Sequence, residues 1–425
     1  MQNRINLNTP SCGDEHDSTA IAYETARNAI IDIVSMHSLK EQERLSLWQA
    51  LDRVLAEDIV AQVNVPPYNN SAMDGYALCS DDIPKQGTNE LKVIGTSFAG
   101  HPYIGVCGKC ECIRIMTGGL IPEGCDTVIP QEFIEIINDF SIRIDERTRQ
   151  GENVRLTGED IYLGQNVLTH GKRITAADLG LIASLGIEHV SVLRRLRIAF
   201  FSTGDELRAV GEDLEPGQIH DSNRYTLFGM LSHQFCEITD LGVVADDVIA
   251  LRNTLRMAAK QHDVLISSGG VSVGEADYVR QVLSELGDIV FWKVAMKPGR
   301  PLTFGRINQA WFFGLPGNPV AVMVSFYQFV QPALQCLAGE IARSPLILQA
   351  VTHSVLKKRA GRTEFQRGIL SQGADGSLSV CETGEQGSGI LLSMSRANCF
   401  IVLSAEQTRV EAGSTVSVQT FADWL

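Results

Sequence analysis

Residues that could bind a phosphorylated ligand are concentrated in segment 263–278, which reads DVLISSGGVSVGEADY. Its apolar start predicts a buried strand, and the apolar residues after it recur at helical spacing. Adjacent glycines let a backbone approach a ligand closely, and the N–H groups at a helix start attract phosphate or carboxylate. We therefore expect Gly269, Gly270 and Ser272 to contact an anionic ligand. A plain strand-to-helix turn with capping acids is the alternative.

Three acids, Glu206, Asp246 and Asp277, follow three predicted strands of one sheet. Because the carboxyl ends of parallel strands meet at one edge of a sheet, the loops should converge there. The carboxylates could then hold Mg²⁺, which prefers carboxylate and phosphate oxygens. The alternative is that Asp246 or Asp247 only caps the helix that follows.

Three cations, Lys293, Lys297 and Arg300, fall within segment 291–301, FWKVAMKPGRP. A cluster of positive charge beside two prolines suits an oxyanion such as phosphate or molybdate. Solvated surface charge is the alternative. Segment 314–319, GLPGNP, turns into a helix with proline at its first position, which indicates either a second anion site or a structural turn.

Two other patterns predict chemistry that the rest of the chain does not support. The segment GVSVG at 270–274 matches the G-x-S-x-G motif of serine hydrolases. Only His353 follows it, in a predicted β-rich region, so a hydrolase is disfavoured. Cys107, Cys110 and Cys112, with Cys125 nearby, resemble zinc ligands, but their spacing is not a standard one and incidental thiols are favoured. No Walker A or G-x-G-x-x-G sequence occurs.

Length and charge limit the class of protein. A chain of 425 residues predicts about three or four domains. A net charge of −14 argues against general affinity for nucleic acid or acidic membrane. Ten scattered cysteines, no secretory start and no apolar run of about 20 residues favour a reduced, cytoplasmic setting.

Periodicity divides the chain into β-rich and α/β regions. Residues 1–18 are expected to be a mobile tail, followed by an amphipathic helix from Ala22 to Ile33 and a second helix at Leu45–Leu55. Short β-like runs occupy the segment to about Ile144. Strands and helices alternate over 196–338, which predicts a mainly parallel, helix-covered sheet. The rest of the chain predicts a small β-barrel or sandwich.

The predicted elements of the α/β region have these bounds. Strands are expected at Ile198–Phe201, Ile238–Val244, Val264–Ile266, Ile289–Phe291, Leu302–Phe304 and Trp311–Phe313, and helices at Arg224–Phe235, Val248–Lys260, Ala276–Leu286 and Pro319–Leu337.

Seven loops, in chain order, resemble the MoeA family of molybdopterin molybdenumtransferases, which is related to the E domain of gephyrin. They are NSAMDGY at 70–76, RIMTG at 114–118, GED at 158–160, FSTGDEL at 201–207, SSGGVSVGEADY at 267–278, KPG at 297–299 and GLPGNP at 314–319. The resemblance runs from about residue 20 to the C-terminus.

The resemblance implies a multidomain α/β plus β fold assembled as a homodimer. A discontinuous linker domain would comprise 19–61 and 150–193, an inserted β-rich domain 62–149, a three-layer α/β molybdopterin-binding domain 194–341 and a C-terminal β-barrel-like domain 342–425. It also implies the reaction, in which adenylylated molybdopterin is hydrolysed with molybdate and a divalent cation, AMP leaves, and molybdenum enters the dithiolene.

The same resemblance implies roles for individual residues. Glu206, Asp246 and Asp277 would lie around the pterin and Mg²⁺, and Lys293 and Lys297 would contact anionic groups. The molybdate pocket would be shaped by Pro316, Pro319, Arg367 and Ser388. Asp74 and Thr117 would come from the partner subunit, with Asp160 in a loop beside them.

Departures from the family pattern limit these inferences. Arg300 stands where lysine is frequent in relatives, so the resemblance leaves the geometry of its oxyanion contact open. The first 18 residues and the cysteine segment lie outside the match. A MogA-like adenylyltransferase and a gephyrin-like binding scaffold are the competing interpretations, and transient contact with the adenylyltransferase of the same pathway is expected. Asp277→Asn is predicted to abolish metal insertion in a folded protein.

Overall fold

The computed structural model of the protein describes residues 20–233, 235–245, 247–269, 278–341 and 344–421, without the side chains of 278–280 and 291. The predicted site residues Asp246, Gly270, Ser272 and Asp277 lie outside the described residues, as does the predicted tail at 1–18.

The first elements are β1 (Ile21–Ala22), α1 (Tyr23–Ser35), β2 (Gln42–Ser46) and β3 (Ile59–Val60). Helix α1 confirms the first predicted helix and buries Ala26, Ile30 and Val34 along one face. The second predicted helix, Leu45–Leu55, is wrong. Its apolar spacing imitates a helix, but its first residues form β2 and Asp52 takes a left-handed φ of 63°, which ends any helical run.

A six-stranded sheet forms the inserted β-rich region, with strand order β8-β5-β7-β6-β10-β9. Its strands, after the short β4 (Asn70–Ser71), are β5 (Gly75–Leu78), β6 (Thr88–Ser97), β7 (Glu111–Ile115), β8 (Thr127–Pro130), β9 (Glu135–Asn138) and β10 (Ser141–Asp145). The prediction of a small β-rich region here is confirmed.

The chain then returns to pair with its first elements through β11 (Val154–Arg155), β12 (Asn166–Leu168), α2 (Ala176–Ser184) and β13 (His189–Leu193). Strand β11 pairs with β4, β12 with β3, and β13 with β2. The Thr175 side chain caps α2 with a full capping box to Asp178. The linker region is therefore built from two distant segments.

The α/β region alternates strands with helices from β14 onward. Its elements are β14 (Leu196–Thr203), β15 (Leu207–Arg208), β16 (Ile219–His220), α3 (Ser222–Leu231), β17 (Cys236–Val244), α4 (Val248–Gln261), β18 (Val264–Ser268), α5 (Tyr278–Leu286), β19 (Gly287–Lys297), β20 (Pro301–Ile307) and β21 (Ala310–Leu315).

Its sheet has the order β17-β14-β18-β21-β20-β19, with the first four strands parallel. Strand β20 runs antiparallel to both neighbours. Alternate residues of β14 enter two cores on opposite faces, Ile198 and Phe200 on one side and Ala199 and Phe201 on the other. A sheet buried on both faces has continuous apolar strands, which is why apolar runs located the six strands of this sheet, although β19 is longer than predicted.

One helical run, comprising α6 (Pro319–Ser325), a π-helical segment (Phe326–Val330) and α7 (Gln331–Leu337), follows the sheet. Among the described residues it alone has the length and hydropathy of a membrane-spanning helix, and 78% of its most apolar part is buried inside the protein. It packs against α1, so it is a core helix.

The C-terminal region contains a closed barrel. Its elements are β22 (Ile347–Thr352), β23 (Leu356–Lys357), β24 (Thr363–Gln372), β25 (Leu378–Glu382), α8 (Leu391–Arg396), β26 (Cys399–Leu403), β27 (Arg409–Val410) and β28 (Thr415–Thr420). Strands β24, β25, β22, β28 and β26 pair in that order, and β26 pairs back to β24. Strand β24 also pairs with β19, which joins the barrel to the α/β sheet.

Candidate functional site

A cavity of about 1270 Å³ opens where the carboxyl ends of β14, β18 and β21 face the barrel. Its lining includes seven predicted site residues: Glu206, Gly269, Lys297, Arg300, Pro316, Pro319 and Ser388. The rule that ligands bind beyond the carboxyl ends of parallel strands therefore located the cavity.

The loops after β14 and β18 converge, as predicted, because Gly269 lets their backbones touch. Gly269 has a φ of +89°, and a Cβ added to it would lie 2.4 Å from the carbonyl oxygen of Thr203. A Cβ on Gly317 would lie 3.8 Å from the Cα of Gly269, so the loop after β21 also reaches this point. Glycine is required at position 269 by both its backbone conformation and the close approach.

Asn223, which sequence reasoning missed, ties two of these loops together. Its Nδ2 donates hydrogen bonds to Ser268 Oγ and to the carbonyl oxygen of Gly317, both at 2.7 Å. Its Oδ1 is buried and accepts no hydrogen bond within the described part of the chain. The segment DSN at 221–223 was a visible helix-start signal, since Asp221 caps α3, but nothing local showed that the asparagine would span two strand ends.

Oxygen-rich side chains line the wall beside Thr203. The exposed Glu206 carboxylate lies over Gly204, where an added Cβ would meet it at 2.6 Å. Asp221 is buried, and its Oδ2 accepts no hydrogen bond from the described residues, lying 3.9 Å from Arg224. The Thr203 hydroxyl is buried and likewise without a described partner. Carboxylate and hydroxyl oxygens suit a hard divalent cation.

No group of three or more His, Cys, Asp or Glu side chains within the described ranges is placed to hold a metal ion. Of the three predicted ligands only Glu206 is described. Asp247, next to one of the others, caps α4 by accepting hydrogen bonds from the N–H groups of Ile249 and Ala250 at 2.9 and 2.8 Å. The capping alternative is therefore confirmed for Asp247.

The three predicted cations occupy different positions. Lys297, at the end of β19, lines the cavity and donates a hydrogen bond of 3.1 Å to the buried Glu364. Arg300 is half-buried and also lines it. Lys293 lies within β19 opposite Pro301 and is not part of the lining. Strand β19 extends further than predicted because it pairs with β20 up to Lys293 and then with β1 and β24, so Lys293 lies inside the strand and not at its end.

Arg367 is close to the cavity but does not line it. It is 1% exposed, and its guanidinium donates to Ser393 Oγ and to the Gly387 carbonyl, both at 3.0 Å. Its main chain exchanges two hydrogen bonds with the Gln386 side chain. Burial lowers the pKa of Arg367 to about 10. Arg367 therefore positions the loop that carries Ser388.

Comparison with known proteins identifies the family. Three family descriptions match in chain order: "MoeA N-terminal region (domain I and II)" at 21–186, "Probable molybdopterin binding domain" at 199–336 and "MoeA C-terminal region (domain IV)" at 349–421. The chain is 44% identical over 382 residues to the molybdopterin molybdenumtransferase of Haemophilus influenzae, covering 90% of this chain and 94% of that protein. This chain belongs to the MoeA family.

Other relatives support the same family assignment. The molybdopterin molybdenumtransferase of a Nostoc species is 34% identical over 98% of this chain and 99% of its own length. The crystal structure of the molybdopterin biosynthesis MoeA protein from Pyrococcus horikoshii matches with a TM-score of 0.82 at 27% identity, over 95% of this chain and all of that one. The resemblance inferred from the seven motifs, and the multidomain α/β plus β fold, are confirmed.

Three predicted residues of the MoeA motifs lie away from the cavity. Thr117 donates from its backbone N–H and its hydroxyl to Asp74 Oδ1, both at 2.7 Å. These hydrogen bonds hold the pKa of Asp74 below its usual value. Asp160 is exposed, and its own backbone N–H donates a hydrogen bond to the Val65 carbonyl at 3.0 Å. The fold brings Asp74 and Thr117 together, but not to the cavity of their own chain.

The cysteines of the inserted sheet are thiols in this structure. Cys107 and Cys112 are buried, Cys125 is half-buried, and all three are unpaired. Burial raises the pKa of Cys107 and raises that of Cys112 to about 12. Raised pKa values oppose the thiolate form that metal ligation requires.

Proposed function

We propose that this MoeA-family chain is a molybdopterin molybdenumtransferase that inserts molybdate into adenylylated molybdopterin and releases AMP. The cavity at the carboxyl ends of β14, β18 and β21 supports this assignment. It brings Lys297 and Arg300, suited to oxyanions, into one space with the Glu206 carboxylate. The relatives named molybdopterin molybdenumtransferase cover 90% and 98% of the chain, which favours this function over a single-domain adenylyltransferase or a binding scaffold.

The chemistry divides into two balanced steps. Water adds to the phosphorus of the adenylyl group, and the pyrophosphate bond breaks to release AMP and free molybdopterin phosphate. The two dithiolene sulfurs then replace one molybdate oxygen, which leaves with their protons as water. Positioned cations are suited to both steps because each involves a tetrahedral oxyanion.

A divalent cation, Mg²⁺ in our proposal, fits the oxygen-rich wall. Glu206 and Asp221 would contribute carboxylates and Thr203 a hydroxyl. Asp246 and Asp277 are proposed ligands outside the described residues. Bound there, the cation would neutralise charge on the pyrophosphate. The part played by the chain itself is to hold these oxygens on loops fixed by Gly269 and Asn223.

We infer that the working enzyme is a homodimer in which Asp74 and Thr117 of one subunit complete the cavity of the other. Thr117 donates two hydrogen bonds to Asp74, yet neither residue lines the cavity of its own chain. Asp160 would lie beside them. Cytoplasmic location and transient contact with the pathway's adenylyltransferase belong to the same proposal, and the unpaired cysteines of the described residues support a reducing compartment.

Turnover by purified protein tests the reaction. Adenylylated molybdopterin, molybdate and Mg²⁺ should yield AMP together with cofactor that reconstitutes a molybdenum-free apoenzyme. Leaving out molybdate should prevent cofactor formation. Absence of AMP release in the complete mixture would overturn the proposal.

Mixing two inactive variants tests the composite site. Asp74→Asn and Glu206→Gln should each be inactive as homodimers. After subunit exchange, half of the dimers carry one intact site, so about a quarter of the original activity should return. Subunit exchange without recovery of activity would mean that both residues belong to the site of a single chain. Co-elution of differently tagged subunits confirms that exchange took place.

A further inference from the structure

His220 is the one histidine among the described residues that line the cavity, and it lies outside the seven motifs. The other titratable side chains of that lining are three carboxylic acids and three cations: Glu206, Asp221, Glu385, Lys297, Arg300 and Arg362. At neutral pH a carboxylate is a weak proton acceptor, and ammonium and guanidinium groups accept no proton. An imidazole both accepts and releases a proton readily near neutrality, so the histidine is the described lining residue best suited to proton transfer.

The backbone around His220 is fixed against the wall of the cavity that contains the proposed Mg²⁺ ligands. His220 ends β16 and pairs with Arg208 of β15. The N–H of Ile219 donates to the Glu206 carbonyl at 2.9 Å, and the N–H of Asp221 donates to the Arg208 carbonyl at 3.0 Å. The histidine is therefore next to Asp221 in sequence and beside the segment that carries Glu206.

One hydrogen bond sets the tautomer of the neutral His220 ring. Its Nδ1 lies 3.2 Å from the carbonyl oxygen of Ala209, which can only accept, so Nδ1 carries the proton. Nε2 is then the unprotonated nitrogen, and it has no hydrogen-bond partner among the described residues. The side chain is exposed where it lines the cavity. An imidazole oriented by a backbone carbonyl, with its second nitrogen free to accept a proton, is the arrangement of a general base.

We propose that His220 is the general base for AMP release and accepts a proton from the water that attacks the adenylyl phosphorus. The water oxygen forms the new bond to phosphorus, one water proton moves to Nε2, and the bond from phosphorus to the bridging oxygen breaks. The electron pair of that bond leaves on the phosphate of molybdopterin, and the imidazolium then gives its proton to solvent. The inference rests on the proposed function and adds a catalytic residue to it.

The rate of AMP release by His220→Ala tests this role in the full chain. With adenylylated molybdopterin, molybdate and Mg²⁺, kcat should fall by about a hundredfold, which is within the usual range for loss of a general base. KM should change little, because the proton is transferred only in the transition state. Added imidazole should restore part of the lost rate in proportion to its concentration, since a free base can then replace the deleted ring.

His220→Asn separates catalysis from a structural role. Its side-chain N–H can keep the hydrogen bond to the Ala209 carbonyl, but it has no base at the position of Nε2. We expect this variant to be as slow as His220→Ala. His189→Ala is the matched control, because His189 is exposed on β13 and outside the cavity lining. Its rate should equal that of the unaltered protein and should not respond to imidazole.

Three results would overturn the inference alone, provided that the unaltered protein releases AMP. They are normal kcat in His220→Ala, normal kcat in His220→Asn, and a slow His220→Ala that imidazole does not accelerate. Failure of the unaltered protein to release AMP is a different outcome, because it would overturn the proposed function and this inference with it.

Discussion

Two concave regions lie at opposite ends of the strands of the α/β sheet, and both contain arginines. At the carboxyl ends of the strands lies the cavity of about 1270 Å³. At the amino ends of β14 and β17 lies a cleft of about 620 Å³, here called the arginine cleft. It is lined by Glu43, Leu45, Trp48, Gln49, Leu51, Arg53, Arg194, Arg195, Arg197 and Glu237.

The two regions differ in what their charges already bind. In the arginine cleft, Arg53 pairs with Glu43, and Arg194 pairs with Glu41 and with Asp263 at 2.7 Å. The hydrogen bonds to Asp263 hold the pKa of Arg194 above its usual value. In the cavity, by contrast, Arg362 and the Glu206 carboxylate have no described partner. The cleft uses its charges to join β2 and β13 to the sheet, whereas the cavity leaves charges for a ligand.

The largest expected effect is on the cavity acids. Glu206→Gln removes an exposed carboxylate and should lower the rate of AMP release by about 10²–10³-fold, because charge placed at a reacting group dominates such steps. The thermal midpoint should stay unchanged, since the side chain is exposed. Stopped reactions analysed for AMP provide the measurement. Full activity would remove Glu206 from the site.

Gly269→Ala should damage both stability and activity. The added Cβ would lie 2.4 Å from the Thr203 carbonyl oxygen, and the backbone keeps a positive φ. The free energy of unfolding should therefore fall by about 1–3 kcal/mol. Denaturant titration measures this. Gly180→Ala is the control, because its Cβ meets nothing within 4 Å inside α2 and should stabilise by about 0.5–1 kcal/mol. Equal stability of the two variants would contradict the close approach.

Arg53→Ala separates the arginine cleft from the cavity. Arg53 is 2% exposed and bonds both Glu43 and the Leu193 carbonyl. Its loss should destabilise the fold by about 1–3 kcal/mol, since Glu43 stays partly solvated, and leave AMP release per folded molecule unchanged. Arg44→Ala, at an exposed position of β2, is the matched control. A large fall in the rate of AMP release with an unchanged free energy of unfolding would show that the arginine cleft takes part in catalysis.

The smallest effect is expected at Arg197, which is exposed at the edge of the arginine cleft. Arg197→Ala should change molybdate and AMP affinity by less than about twofold, as is usual for exposed charges away from a site. Calorimetric titration of the full chain with molybdate and with AMP measures both affinities. A tenfold loss would mean that charge anywhere on this sheet attracts the ligand, and the contrast between the two regions would fail.

Sequence reasoning succeeded where the signal was local. The continuous apolar strands and their following loops predicted the α/β sheet and the convergence at Gly269. Leu45–Leu55 failed because its apolar spacing fits a helix, while the strand partner that decides its structure, β13, lies far along the chain. Asn223 was missed for the same reason, because one hydrogen-bond partner ends β18 and the other lies in the loop after β21.

The sequence by itself therefore determined which loops after strands carry the functional residue types, and it determined the family. Only the tertiary structure decided which charged groups remain unpaired. Lys297 and Glu364 pair because β19 and β24 form a ladder between two regions, and Arg367 faces its own loop because the barrel closes around it. Pairing of charges depends on register between distant strands, which residue spacing does not encode.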